Sequence, residues 1–240
     1  MAKKNFQPYQ PLLLRIVHGL LGLSAILAVI TAYWTYDIYD GRWGSISLPK
    51  WSEIEGIHGT FGLLTLLIFP FFVIYAFNQG QQKLIQPNSF KKLTEIGKPI
   101  WWYSLHRWVN TGTILALTLA VFSGKMMSEK WLPQGELNHF WYYAHLISWL
   151  ILVAAIAIHV LMSVRIGGIP LILSMFNWQV RSQDSPSLWR KKLINYNWDS
   201  KLNLTAIKHW LTGNILRKIE VFVWLMIVLA WVISLFKELR

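Results

Sequence analysis

Apolar residues fall into five runs along the 240-residue chain, at about 12–34, 57–77, 105–123, 140–164 and 221–236, with polar residues between them. A hydrocarbon core of roughly 30 Å is crossed by about 20 residues of α-helix, so each run predicts a transmembrane helix. The fifth is the shortest, but no charge interrupts it, and Trp224 and Trp231 suit a membrane interface. The first is too long for a signal peptide and meets no small-residue cleavage site before Tyr33-Trp34-Thr35-Tyr36. Ahead of the fifth run, Leu202, Ile207, Trp210, Leu211, Ile215 and Ile219 form an apolar stripe beside lysines. That pattern predicts an amphipathic interfacial helix over 201–219.

Composition agrees with this pattern. The chain is 54% hydrophobic and 14% charged, against about 25% charged in soluble domains. The expected fold is an all-α integral membrane protein. Residues 1–180 form a four-helix transmembrane bundle, 181–220 a basic cytoplasmic segment with the interfacial helix, and 221–240 a fifth transmembrane helix.

Charge sets the expected orientation. Lys3 and Lys4, then Lys83, Lys91, Lys92 and Lys98, precede the first and third runs. The 165–220 segment holds Arg165, Arg181, Arg190, Lys191, Lys192, Lys201, Lys208, Arg217 and Lys218, whereas the alternate loops hold only Arg42, Lys50, Lys125 and Lys130. The excess of Lys and Arg on cytoplasmic loops puts the N-terminus and the long segment inside a bacterial plasma membrane or an internal energy-transducing membrane. The net charge of +12 is then explained by anionic lipid beside those loops and needs no nucleic acid.

The chain has no cysteine, which removes iron–sulfur clusters, covalent haem attachment, thiolate catalysis and disulfides together. Its candidate chemistry lies in its seven histidines, because ionisable groups inside a span are costly and mark function by default. His145 and His159 share the fourth helix. At 100° and 1.5 Å per residue they fall within roughly 40° of one face and about 21 Å apart along the axis. His18 lies in the inner half of the first helix and His58 in the outer half of the second. Depth therefore pairs His18 with His159 and His58 with His145. Two imidazoles per site in apolar surroundings, with no cysteine or carboxylate cluster, point to b-type haem. Gly22 and Gly62 each lie one turn beyond a histidine, in HGLLG and HGTFG, where a missing side chain admits a flat porphyrin.

Other readings compete with these. Either glycine also suits close helix packing, and a single intramembrane histidine suits packing or a proton relay. His209 falls on the interfacial stripe and His139 just ahead of the fourth span, both at the surface. His106 is the rival to His18. It begins the third helix on the inner side, but Asn110 one turn on would crowd a porphyrin, and the headgroups are close. With Arg107 it better suits a haem propionate or a quinone. Arg15, Arg107 and Arg165 near the inner surface are propionate partners or ordinary flanking cations. Zinc wants three or four clustered ligands, which two separated pairs do not give, and His-Glu-x-x-His is absent. Trp101, Trp102, Tyr103 and Trp108, with Trp141, Tyr142 and Tyr143, form an interfacial belt or line a quinone pocket.

With these residues in place, the sequence resembles the prokaryotic cytochrome b561 family. That family includes the di-haem cytochrome b subunits of nickel–iron hydrogenase and is similar to those of formate dehydrogenase. The resemblance covers roughly residues 10–180 and rests on His18, His58 and the 14-residue spacing of His145 and His159. It implies two haem b groups, ligated by His18 with His159 and by His58 with His145. The chain departs from it in the extension that includes Arg181-Ser182-Gln183-Asp184-Ser185-Pro186 and in the fifth helix at 221–236. With both axial positions filled, no open site remains for bond chemistry, so the expected activity is transmembrane electron transfer. The expected exchange is between membrane quinone and another carrier, as a respiratory cytochrome or the cytochrome b subunit of an oxidoreductase. The alternatives are a membrane anchor that docks a soluble oxidoreductase on 165–220, and a non-redox transporter with a histidine proton relay.

Overall fold

The computed structural model describes residues 8–127, 130, 134–189 and 213–238. Helix accounts for almost all regular structure, and there is no strand among the described residues. The helices whose bounds fall within the described residues are, in order, α1 Leu12–Tyr39, α2 Ile54–Asn78, the short α3 Ser89–Leu93, α4 Pro99–Met126, α5 Phe140–Leu173 and α6 Ile215–Glu238. The five long ones correspond to the five apolar runs, so the chain is a helical membrane bundle.

Local chemistry sets the helix ends. Pro11 stands before α1 and Pro99 at the first turn of α4, where a missing N–H costs nothing. Gly41, at φ +62°, closes α1 with its N–H on the Tyr36 carbonyl, a left-handed cap that glycine adopts without strain. α5 continues past the expected end at 164 as far as Leu173, although Gly168 (φ 65°) and Pro170 kink it. Just past that expected end the exposed Arg165 sets its guanidinium 4.4 Å over the Trp102 ring, a favourable cation–π contact.

α1, α2, α5 and α6 are long and apolar enough to cross a membrane. α4 is as long as α1 but more polar, because it sits inside the bundle against α5, α6 and α2. Three of its buried hydroxyls are satisfied within the helix: Thr111 donates to the Arg107 carbonyl, Thr118 to Ile114 and Ser123 to Leu119, at 2.7–2.9 Å. α1 packs on α2, and Leu21, Phe69, Val73, Leu117, Leu152 and Val223 meet in the common core. Leu20, Leu23, Phe71, Leu150, Leu161 and Leu225 point outward and exposed, as a lipid-facing surface requires.

α6 begins at Ile215, six residues before the expected start. Ile215 and Ile219, assigned above to the interfacial helix, therefore form its first turns, and the boundary between segments moves from 221 to 215. The charges at its start are absorbed by an Arg217–Glu220 hydrogen bond, with Glu220 buried. The rest of the expected 201–219 helix, with His209, lies outside the described residues.

Two ends of the bundle can be told apart. At the near end, which carries the chain's start, Tyr9 donates to Asp184 at 2.7 Å, Arg15 to the Gln179 carbonyl at 2.8 Å and Lys83 to Gln10 at 2.7 Å. The 79–98 connection folds back there and buries Leu84 and Ile85. At the far end, Asp37 accepts the backbone N–H groups of Ile46 and Leu48, both at 2.7 Å, and Tyr142 donates to Asp40 at 2.8 Å.

Candidate functional site

At the far end α2 and α5 bring His58 and His145 together, with ring centroids 5.9 Å apart and ring planes tilted by 53°. His58 Nδ1 lies 3.1 Å from the Ala28 carbonyl. A carbonyl only accepts, so Nδ1 carries the proton and Nε2 keeps its lone pair. His145 Nδ1 lies 3.1 Å from Ser123 Oγ. The Ser123 hydroxyl already donates to the Leu119 carbonyl at 2.7 Å, so it accepts from the ring. Both imidazoles are thus held in the tautomer that leaves Nε2 to coordinate, the usual outer-shell arrangement of a metal-bound histidine.

A cavity of about 690 Å³ surrounds this pair, within the range of cofactor sites. Small residues form much of its wall, including Ala28, Ala32, Gly59, Gly62, Ala120 and Gly124. The two glycines nearest the rings serve different purposes. A Cβ on Gly62 would meet nothing within 4 Å, whereas one on Gly124 would come within 3.0 Å of His145 Cε1. Gly62 borders open space; Gly124 makes room for the ligand ring. Trp149 closes another side and donates to the Val29 carbonyl at 3.1 Å.

Near-end geometry is less exclusive. His18 of α1 and His159 of α5 have ring centroids 6.1 Å apart, and His106 of α4 stands 6.3 Å from the same His159. His159 Nδ1 lies 3.1 Å from Asn110 Oδ1, while Asn110 Nδ2 donates to the Lys83 carbonyl at 2.9 Å. That second bond decides which end of the amide faces the ring, so His159 also donates from Nδ1 and keeps Nε2 free. His18 has no hydrogen-bond partner among the described residues. The expectation that Asn110 would crowd a cofactor is corrected here: its amide turns to His159 and the Lys83 carbonyl. His106 Nε2 is buried and unpartnered among the described residues.

Five buried side-chain polar atoms lack a partner among the described residues, and four of them, Arg15 Nε, Ser104 Oγ, His106 Nε2 and Trp108 Nε1, lie in the near-end halves of α1 and α4. Each such atom costs about 1–3 kcal/mol if left unpaired. Arg15 is itself buried beneath Tyr9. Arg107 is half-buried, and Arg165 is engaged by Trp102 as described. Gly22 is half-buried, and a Cβ there would meet nothing within 4 Å.

The donor set fits haem. Two imidazoles bound to opposite sides of one metal at about 2 Å each hold their ring centres about 6 Å apart, as both pairs do. No group of three or more His, Cys, Asp or Glu residues gathers for a metal among the described residues. A ring such as porphyrin would supply the remaining coordination, and a Cβ at Gly22 or Gly62 would meet nothing within 4 Å. Sequence reasoning missed Ser123, Gly124 and the contact of Asn110 with His159, although a signal was present. Asn110 and Ser123 are 13 residues apart on α4, nearly matching the 14 between His145 and His159 on the helix packed against it.

The family model for prokaryotic cytochrome b561 matches residues 9–178, more than half of the chain and all of α1 to α5. No curated protein and no solved structure matches the chain.

Proposed function

The chain belongs to the prokaryotic cytochrome b561 family, a family of haem-b membrane electron carriers, and from that premise we propose that it carries electrons across the membrane on two haems. His58 and His145 hold the far-end haem, and His18 and His159 the near-end one. The observation that carries this reading is the pair of ring separations, 5.9 and 6.1 Å, at opposite ends of the bundle. Bound haem supplies one-electron chemistry at iron. The chain's own residues do the rest. The Ala28 carbonyl, Ser123 and Asn110 fix three of the four imidazoles with Nε2 presented, and the apolar walls exclude water. With two histidines to hold each haem, neither site would leave a coordination position at which to bind and transform a substrate.

The near end faces the cytoplasm in this reading, on the loop charges described above. Arg15 Nε and His106 Nε2, buried there without a partner among the described residues, meet haem carboxylates or a quinone headgroup. With no cysteine in the chain, the other redox partner is external: membrane quinone on one side of the exchange and a second carrier on the other. A pyridine haemochrome assay on the purified protein should give two haem b per polypeptide, with low-spin bands in the reduced spectrum. A value near one refutes the paired sites, and a colourless protein points to the transporter reading.

A further inference from the structure

The family match ends at residue 178, and α6 lies wholly beyond it. α6 is nonetheless built into the bundle, with Val223, Ile227 and Ala230 buried and its length packed on α4 and α2. Its end reaches the far-end cavity, where Ser234 and Lys237 form part of the wall. Lys237 Nζ donates to the backbone carbonyls of Lys125, at 2.6 Å, and Met127. Both carbonyls lie at the C-terminal end of α4, where the helix supplies no N–H partner. A lysine there satisfies them and complements the partial negative charge of the helix end.

The turn held in this way is the one that sets His145. Ser123 accepts from His145 Nδ1 at 3.1 Å, and Gly124 leaves the space into which the ring fits. Lys125 follows directly and lines the same cavity, where Glu55 is the one carboxylate among the described lining residues. Among the described lining residues two ammonium groups stand against one carboxylate, a balance suited to the acidic side groups that a haem would carry.

We propose that α6 is part of the far-end cofactor site, with Lys237 as a positioning residue that holds the Ser123–Gly124 turn against His145 and brings positive charge to the cavity. The inference rests on His58 and His145 being the far-end haem's ligands. It gives the helix outside the family match a role in the redox centre beyond anchoring the chain in lipid.

The test uses the full-length holoprotein with Lys237→Met and Lys237→Arg, read by optical redox titration and by the low-spin ferric EPR signals. His145→Ala identifies which signals belong to the far-end haem. Lys237→Met should shift the far-end midpoint potential, through loss of the cation and loosening of the Ser123 acceptor on His145, and should alter that haem's EPR signal. The near-end haem should keep both its potential and its signal, and Lys237→Arg should restore the native far-end values. If Lys237→Met leaves the far-end haem unchanged while His145→Ala removes it, the role of α6 is refuted and the ligand assignment stands. If His145→Ala keeps both haems, the ligand assignment fails and takes this inference with it.

Discussion

At the far end one imidazole meets one, His58 against His145, across a cavity of about 690 Å³ with both Nδ1 atoms resting on acceptors. At the near end His159 meets two imidazoles at nearly equal distance, 6.1 Å for His18 and 6.3 Å for His106. Its own Nδ1 rests on Asn110. Ring distance therefore defines the far-end pair by itself and leaves the near-end pair to be decided by what surrounds the rings. Gly22, one turn past His18, borders open space. Asn110, one turn past His106, is occupied in holding His159. The surroundings favour His18.

Replacing the near-end histidines should break this symmetry most visibly. His18→Ala is expected to lose one haem of two, and His106→Ala to keep both. Haem per polypeptide in the two purified variants checks this, and loss of a haem from His106→Ala but not from His18→Ala would reverse the assignment.

Filling the space beside each pair is the next largest change. Gly62→Leu should lower occupancy of the far-end haem and Gly22→Leu that of the near-end one, each leaving the other in place. A Cβ added at either glycine would meet no neighbouring atom of the protein within 4 Å, so the helices themselves should still pack. Haem content set beside circular dichroism separates cofactor exclusion from misfolding. An equal loss at both ends in either variant would mean that the glycines serve packing alone.

Hydrogen bonds to the ligand rings should give the smallest shifts. An acceptor on Nδ1–H makes the imidazole more basic and stabilises ferric iron, so its removal raises the potential. Net hydrogen-bond energies of about 0.5–1.5 kcal/mol correspond to about 20–65 mV for a one-electron couple. Asn110→Leu should raise the near-end midpoint by that order and Asn110→Asp should lower it, whereas Ser123→Ala should raise only the far-end midpoint. Shifts of the same sign in both Asn110 variants would show that the residue acts through packing.

How much of this was legible in the sequence follows from what each signal depends on. The five helices were readable because lipid imposes a simple demand for length and apolarity, met by α1, α2, α5 and α6 outright. Their ends were less so. α5 overruns past Arg165, which finds the Trp102 face, and α6 starts early because Glu220 finds Arg217; hydropathy does not register either partner. The 14-residue spacing of His145 and His159 brought two pairs to light because depth along a helix is linear in residue number. Choosing between His18 and His106 needed rotation about α1 and α4, which depth does not report. Asn110 was misjudged for the same reason: its helical face was correct, but the neighbour on that face was His159, with the Lys83 carbonyl behind it.

The account's central claim is that the two sites are separate, one pair of histidines to each. The most direct measurement is haem content and the reduced-minus-oxidised spectrum of His145→Ala and His159→Ala, prepared side by side with the unaltered protein. Each variant should retain one haem of two, and their two spectra should sum to that of the unaltered protein. Two haems retained by either variant, or both lost from either, would contradict it.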